Sequence, residues 1–310
     1  MKIFFAAVVA ALCATPGRAG VTAGVDETLG TAHYRSTKVK ASVDLGEEYY
    51  LSPSFSTYRS DNSSGSFSTI GLRGGYESGP LSLGADVAVQ PKTNGYKREE
   101  FGADATFSLT PGGSKHGHKM TGPSSGGEET FGSGLAAVDI GAGLRFIRHS
   151  DDLQAPPGAA GLPPGPGRRA IARGKTITFG QTEFSVFGAL RFLIAEASAE
   201  LSKSHYDKSL DASNARESQF LQLTGVDSIV QGFPDTTANA RLTWKSLPLI
   251  KPYASYTHTT FKLGSAPSNA YEFGAKAGLN MVTVKAGYER YVQKGVASQN
   301  YYTLGASLNF

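Results

Sequence analysis

Apolar and polar residues alternate with a period of two along almost the whole chain. That spacing puts successive side chains on opposite faces of a β-strand. The last ten residues show it most plainly. Tyr302, Leu304, Ala306, Leu308 and Phe310 are apolar, and Thr303, Gly305, Ser307 and Asn309 between them are polar or small. The same alternation recurs over residues 21–26, 38–45, 48–58, 70–77, 81–90, 101–109, 136–146, 183–192, 195–202, 239–245, 252–256, 271–281 and 282–289. Clusters of Gly, Pro, Ser and Asn separate these segments, as turn chemistry requires. In the 252–256 segment the faces are less distinct, because Tyr253 and Phe261 sit on the register opposite to Pro252, Ala254 and Tyr256.

This pattern predicts an all-β chain of about fourteen strands, each near the ~9 to 11 residues that a tilted strand needs to cross a bilayer. The final strand ends on a bare aromatic. An apolar edge strand of that kind invites aggregation in a soluble sheet, but it has no edge in a barrel whose last strand closes on its first. The expected fold is therefore a transmembrane antiparallel up-and-down β-barrel. A secreted β-sandwich or solenoid also alternates, yet it would not call for bands of Tyr and Phe near the strand ends, which suit the two interfaces of a membrane. Short links such as Ser78-Gly79-Pro80 fall on one side of the barrel, and long loops at 151–175 and 206–235 on the other. The polar, Gly-rich stretch 111–130 does not fit. It makes a long connection on the short-turn side, and a miscount of two strands there would make the barrel one of twelve or sixteen.

The N-terminus changes the picture of destination. Lys2, the apolar run 3–14, and then Gly17 and Ala19 read as a secretory signal peptide over residues 1–19, leaving residues 20–310 as the barrel. The chain's one cysteine, Cys13, falls inside that leader behind Leu12, so neither disulfides nor thiol chemistry is expected of the mature chain. Only 18% of residues are charged and the formal net charge is +4, of which Lys2 and Arg18 belong to the leader. A balance so close to neutral gives no electrostatic footprint for nucleic acid.

On the leader and the terminal alternation Tyr302/Leu304/Ala306/Leu308/Phe310, the chain resembles the bacterial outer-membrane β-barrel proteins, and among them the porins. The resemblance implies an outer-membrane location, contact with membrane lipid and lipopolysaccharide, and recognition of residues 302–310 by the barrel assembly machinery.

Candidate chemistry follows from the inward faces. Asp86, Asp104, Asp139, Arg145, Glu183, Glu196, Glu200, Arg241, Lys245, Lys276 and Lys285 are expected to line a pore. The mid-chain strands supply mainly acids and the C-terminal strands mainly bases, with Glu272 and Glu289 as exceptions. Consecutive strands are neighbours around a barrel, so this order predicts opposed acidic and basic arcs and a transverse field that sorts small hydrophilic solutes. Arg168, Arg169, Arg173 and Lys175 form a basic cluster suited to lipopolysaccharide phosphates. No cofactor and no metal is expected, since His116 and His118 alone are too few ligands. A barrel hydrolase is the alternative function, with His149 or His205 as base, because 149–152 and 204–207 bring His, Ser and acid together in sequence. A structural or adhesive barrel acting through its surface loops is a third.

Overall fold

The computed structural model describes residues 20–46, 48–61, 65–93, 95–109, 136–152, 176–207, 233–247, 249–262, 266–279 and 281–309. They form fourteen strands: β1 (Val21–Gly30), β2 (Tyr34–Asp44), β3 (Tyr49–Arg59), β4 (Phe67–Ser78), β5 (Leu81–Thr93), β6 (Tyr96–Leu109), β7 (Ala136–Asp152), β8 (Thr176–Phe192), β9 (Ala195–Tyr206), β10 (Pro234–Trp244), β11 (Ile250–Phe261), β12 (Ser268–Leu279), β13 (Val282–Gln293) and β14 (Val296–Asn309). Each pairs antiparallel with its neighbours in sequence, and β14 pairs with β1 from Thr22↔Asn309 to Gly30↔Tyr301, so the sheet closes. Closure satisfies every strand's backbone groups without an edge, which is the condition for crossing lipid with strands.

The count of fourteen removes the alternatives of twelve and sixteen. β6 and β7 are adjacent and antiparallel, Leu109 facing Val138. β6 therefore ends and β7 begins at the near end of the barrel, where β1 begins and β14 ends. The stretch 111–130 itself lies outside the described residues, as do residues 1–19 and Phe310.

Polarity is inverted relative to a soluble protein. Val25, Ile70, Leu83, Phe101, Ile140, Phe184, Leu242, Phe273 and Leu304 all point outward and are exposed, while Ser82, Thr106, Asp139, Gln181, Ser202 and Ser268 point inward and are buried. An apolar outside on a closed barrel is what lipid selects. Aromatic pairs mark both margins of this surface. Tyr49 packs at a tilt against Tyr76, with ring centroids 5.0 Å apart, towards the near end, and Tyr256–Tyr271 and Tyr288–Tyr302, both at 5.3 Å, lie towards the far end. Such rings are amphipathic and settle at the headgroup level.

Two packing devices shape the interior. At the far end the inward residues Phe67, Tyr96, Phe179 and Tyr206 gather around Phe233, forming a buried aromatic cluster on the β4 to β9 side. Phe233 adopts a left-handed backbone, with φ of 57°, in order to reach it. A bulky residue rarely adopts that conformation, and buried ring contacts with Phe179 at 5.2 Å and Tyr206 at 5.7 Å hold it there. Elsewhere, large inward rings lie along the wall over glycines one or two strands away. Phe187 covers Gly141, and Tyr253 covers Gly274 and Gly287. A side chain at those glycines would occupy the same space, so their absence of Cβ keeps the rings out of the lumen. This resolves the mixed faces of β11: Tyr253 and Phe261 are inward, and Pro252, Ala254 and Tyr256 are outward.

Candidate functional site

The inner wall carries the charged residues. Strand alternation turns Asp86, Asp104, Asp139, Arg145, Glu183, Glu196, Glu200, Arg241, Lys245, Lys276 and Lys285 to the interior, on the face opposite the exposed apolar residues. Where these residues differ from expectation is in their company. On β4 to β8, one line of cross-strand neighbours reads Arg73, Asp86, Gly102, Arg145, Glu183. Arg73 Nη1 stands 3.3 Å from Asp86 Oδ1 and Nη2 2.7 Å from Asp104 Oδ2, while its Nε donates to the Tyr50 hydroxyl at 3.2 Å. Arg145 lies within ion-pair distance of Glu100 at 3.1 Å and of Glu183 at 3.8 Å. Arg98 holds the other oxygen of Glu100 at 2.9 Å. Arg191 pairs with Asp139, whose side chain is 0% exposed, and Lys245 pairs with Glu196. A cavity of about 20 Å³ remains among Asp86, Asp104, Arg145 and Glu183, enough for a single water.

The expectation of an acidic arc therefore needs correcting. Its carboxylates are present, but Arg73, Arg145 and Arg191 stand among them and pair with Asp86, Asp104, Glu183 and Asp139, while Glu196 pairs with Lys245. Of those arginines only Arg145 was a candidate from sequence. Glu100, Lys38, Lys40 and Lys251 also face inward without having been singled out. The same period of two marks all of them. A search for blocks of like charge passes over cations interleaved among acids, and spatial pairing is what reveals them.

The basic half is built around Tyr253. Its hydroxyl donates to Glu272 Oε1 at 2.9 Å, and Ser255 donates to Glu272 Oε2 at 3.1 Å. The Arg241 guanidinium sits 4.0 Å above the Tyr253 ring and Lys285 Nζ 5.9 Å from it, a cation–π arrangement that fixes both cations against the wall. Glu272 and Glu289 face each other across β12 and β13.

The sequence clusters proposed for hydrolysis come apart. His149 points inward and is buried, with Nδ1 2.9 Å from the Tyr96 hydroxyl and Nε2 3.1 Å from Gln181 Oε1, and its ring stacks on Phe179 at 4.7 Å. Ser150, next in sequence, turns to the other face and meets Thr178 at 3.3 Å. His205 is outward and exposed while Ser204 is inward and accepts from Gln181 at 3.0 Å. Neighbours on a strand point apart, so adjacency there does not build a nucleophile–base pair. Among the described residues, no group of three or more His, Cys, Asp and Glu could hold a metal ion. Arg168, Arg169, Arg173, Lys175, His116 and His118 lie outside the described residues.

At the far rim, His33 Nδ1 lies 2.6 Å from Asp61 Oδ2, joining the β1–β2 and β3–β4 connections. The hydrogen bond and charge of Asp61 raise the His33 pKa above its ordinary value of 6.5. The raised value means that the charged contact is complete below pH 6.5 and is lost as pH rises through the higher, folded-state value. Both partners are largely exposed, so the expected effect is local. A nuclear magnetic resonance titration of His33 in the full-length protein should give a midpoint above that of the Asp61→Asn variant, and equal midpoints would discount the contact.

No protein-family model and no curated protein sequence matches the chain. Among solved structures it is similar to the NanC porin, with 9% identity, a TM-score of 0.43, and coverage of 93% of this chain and 100% of that one. A KdgM porin in complex with disordered oligogalacturonate gives 6% identity, a TM-score of 0.40 and coverage of 93% and 99%. Outer-membrane expressed OmpT of Vibrio cholerae gives 11% identity, a TM-score of 0.47 and coverage of 96% and 99%. Likeness at this level carries nothing about activity, and the closed fourteen-strand barrel stands on the chain's own strand pairing.

Proposed function

We propose that this chain is a porin-like channel of the bacterial outer membrane, passing small hydrophilic solutes by passive diffusion. The observation that carries the reading is the closed fourteen-strand barrel with an apolar exterior and an inner wall of charged and polar side chains. About eight strands already enclose an interior that side chains fill, and the width grows with strand number, so fourteen leave room for water. The packing of Phe187 and Tyr253 over glycines works in the same direction. Passage then depends on width and on the charges of the wall, with no chemical step.

Lipid surrounds the apolar exterior in this reading. Residues 302–310 serve recognition by the assembly machinery, and Arg168, Arg169, Arg173 and Lys175 meet lipopolysaccharide phosphates. Purified full-length protein added to a planar bilayer should produce stepwise conductance increments. A bilayer that stays sealed at every voltage, with folded protein demonstrably inserted, would overturn the channel reading.

A further inference from the structure

Burial divides the inner wall into a filled side and an open one. On β5 to β8 the inward residues Ser82, Thr106, Asp139, His149, Phe179 and Phe187 are all buried. The arginines there are tucked in as well, with Arg73, Arg145 and Arg191 between 11% and 14% exposed. On β14, β1, β2 and β3, no described residue of the inward face is buried, and the buried residues of those strands, Val21, Ala41 and Val43, belong to the other face. Size accounts for the contrast. Large side chains crowd the first wall, whereas the second presents Thr28, Ser36, Ser54, Ser56, Thr303 and Ser307 at its middle levels. The free width of the lumen therefore lies against β14, β1, β2 and β3.

The chemistry of this open wall is that of uncharged hydrogen-bonding groups. Its described inward face carries Asp26, Lys38, Lys40 and Asp44, two charges of each sign, and Asp26 stands directly opposite Lys38. Hydroxyls fill the space between. Thr28 Oγ1 lies 2.9 Å from Thr303 Oγ1, Ser52 donates to Ser42 at 2.8 Å, and Thr22 donates to Asn309 Oδ1 at 3.1 Å. A hydroxyl has one donor and two acceptor sites, so each of these bonds leaves capacity for a further partner. At the far mouth the wall ends in two half-buried inward rings, Tyr34 and Tyr301, which meet edge to face with centroids 5.1 Å apart. Tyr301 covers Gly30, where a Cβ would collide with the ring.

We propose that this open wall is a route for uncharged, polyhydroxylated solutes, sugars above all, which meet Tyr34 and Tyr301 at the far mouth and the hydroxyls below them. A charged solute that gives up water here finds no surplus of opposite charge to replace it. A sugar exchanges the hydroxyls of water for those of Ser and Thr at little cost, and its carbon face can lie against a tyrosine ring whose polar end stays wet. Donors and acceptors repeated along a wall, each weakly held, let a solute bind and leave in steps.

The inference rests on the channel reading, and its test separates the two. Proteoliposomes of the full-length protein in potassium chloride are loaded with glucose, gluconate or protonated glucosamine, which are similar in size and differ in charge. Glucose efflux should exceed that of either charged analogue by about threefold or more. The Thr28→Val/Ser36→Ala/Thr303→Val variant should lower glucose efflux by about threefold and leave potassium chloride conductance nearly unchanged. Ser54→Trp, which fills the open side, should lower that conductance by about half or more. A charged analogue that crosses as fast as glucose, undiminished glucose efflux in the triple variant, or undiminished conductance in Ser54→Trp overturns the proposal and leaves the channel intact. If wild type does not conduct, the channel reading fails instead. Saturation-transfer magnetic resonance with raffinose, an uncharged trisaccharide, on the detergent-solubilised barrel then decides the wall: a wild-type signal that Tyr34→Ala/Tyr301→Ala loses supports it, and equal signals or none overturn it.

Discussion

Replacing Arg73 with Met should destabilise the barrel by about 3–5 kcal/mol, as expected when one partner of a buried charge network is removed. The guanidinium is 11% exposed and stands between Asp86 and Asp104, which are 17% and 12% exposed. Without it the carboxylates of Asp86 and Asp104, diagonal to one another across β5 and β6 with Gly102 and Gly84 opposite them, are left with little solvent, and the Tyr50 hydroxyl loses its donor. The measurement is the denaturant midpoint of the folded barrel in micelles. Arg73→Met/Asp104→Asn should recover a large part of the loss, because it removes the carboxylate that Arg73 holds most closely, at 2.7 Å. Absence of recovery would mean that Arg73 acts through packing of its stem rather than through charge. The same single variant should move ion selectivity towards cations, since it uncovers the acids that the arginine now holds.

Gly141→Val is the second large effect. A Cβ at Gly141 would collide with the Phe187 ring and would stand 2.8 Å from the Ala105 carbonyl oxygen on the neighbouring strand. The ring is the far end of a side chain and can leave, but the carbonyl belongs to the β6 ladder and cannot. Overpacking of this kind costs about 1–3 kcal/mol and more where backbone must move, so much reduced yield of folded barrel is expected. The pair Gly141→Ala and Gly141→Ala/Phe187→Ala separates the two contacts. If the ring dominates, the double variant regains stability relative to the first; if the carbonyl dominates, it regains none. A Gly141→Val barrel as stable as wild type would show that Phe187 does not need its place on the wall.

Most of the strand plan was legible residue by residue. β5 is the clearest case: Leu81, Leu83, Ala85, Val87 and Val89 against Ser82, Gly84, Asp86 and Gln90 admit one reading, because a shift of one residue would send every carboxylate and amide into the lipid. β11 was not legible, since Tyr253 and Phe261 are apolar yet inward. An aromatic ring is compatible with either face, and for Tyr253 what decides is the glycine opposite, Gly274, which lies 21 positions further along the chain and has no local mark. The long 111–130 stretch left the strand count open for a similar reason. A period of two counts strands but does not say which strands pair, and only the adjacency of β6 and β7 shows that nothing intervenes.

The candidate site divides in the same way. Alternation was sufficient to place Asp86, Asp104, Asp139 and the C-terminal lysines inward, because it depends only on a strand's own geometry. It was insufficient to show that Arg73 binds two of those acids, or that His149 and Ser150 part company around a strand whose neighbours are Tyr96, Gln181 and Thr178.

By itself, then, the order of residues determined the β class, the inward and outward faces of nearly every strand, and the apolar terminal stretch 302–310, whose fate depends on closure. Tertiary structure alone decided the number of strands, the pairing of one wall's acids with interleaved arginines, and the side of the lumen that is left open. The physical reason is register. Which side of a strand a residue occupies follows from its own backbone, whereas which residue it meets follows from hydrogen-bond pairing between segments that the sequence keeps apart.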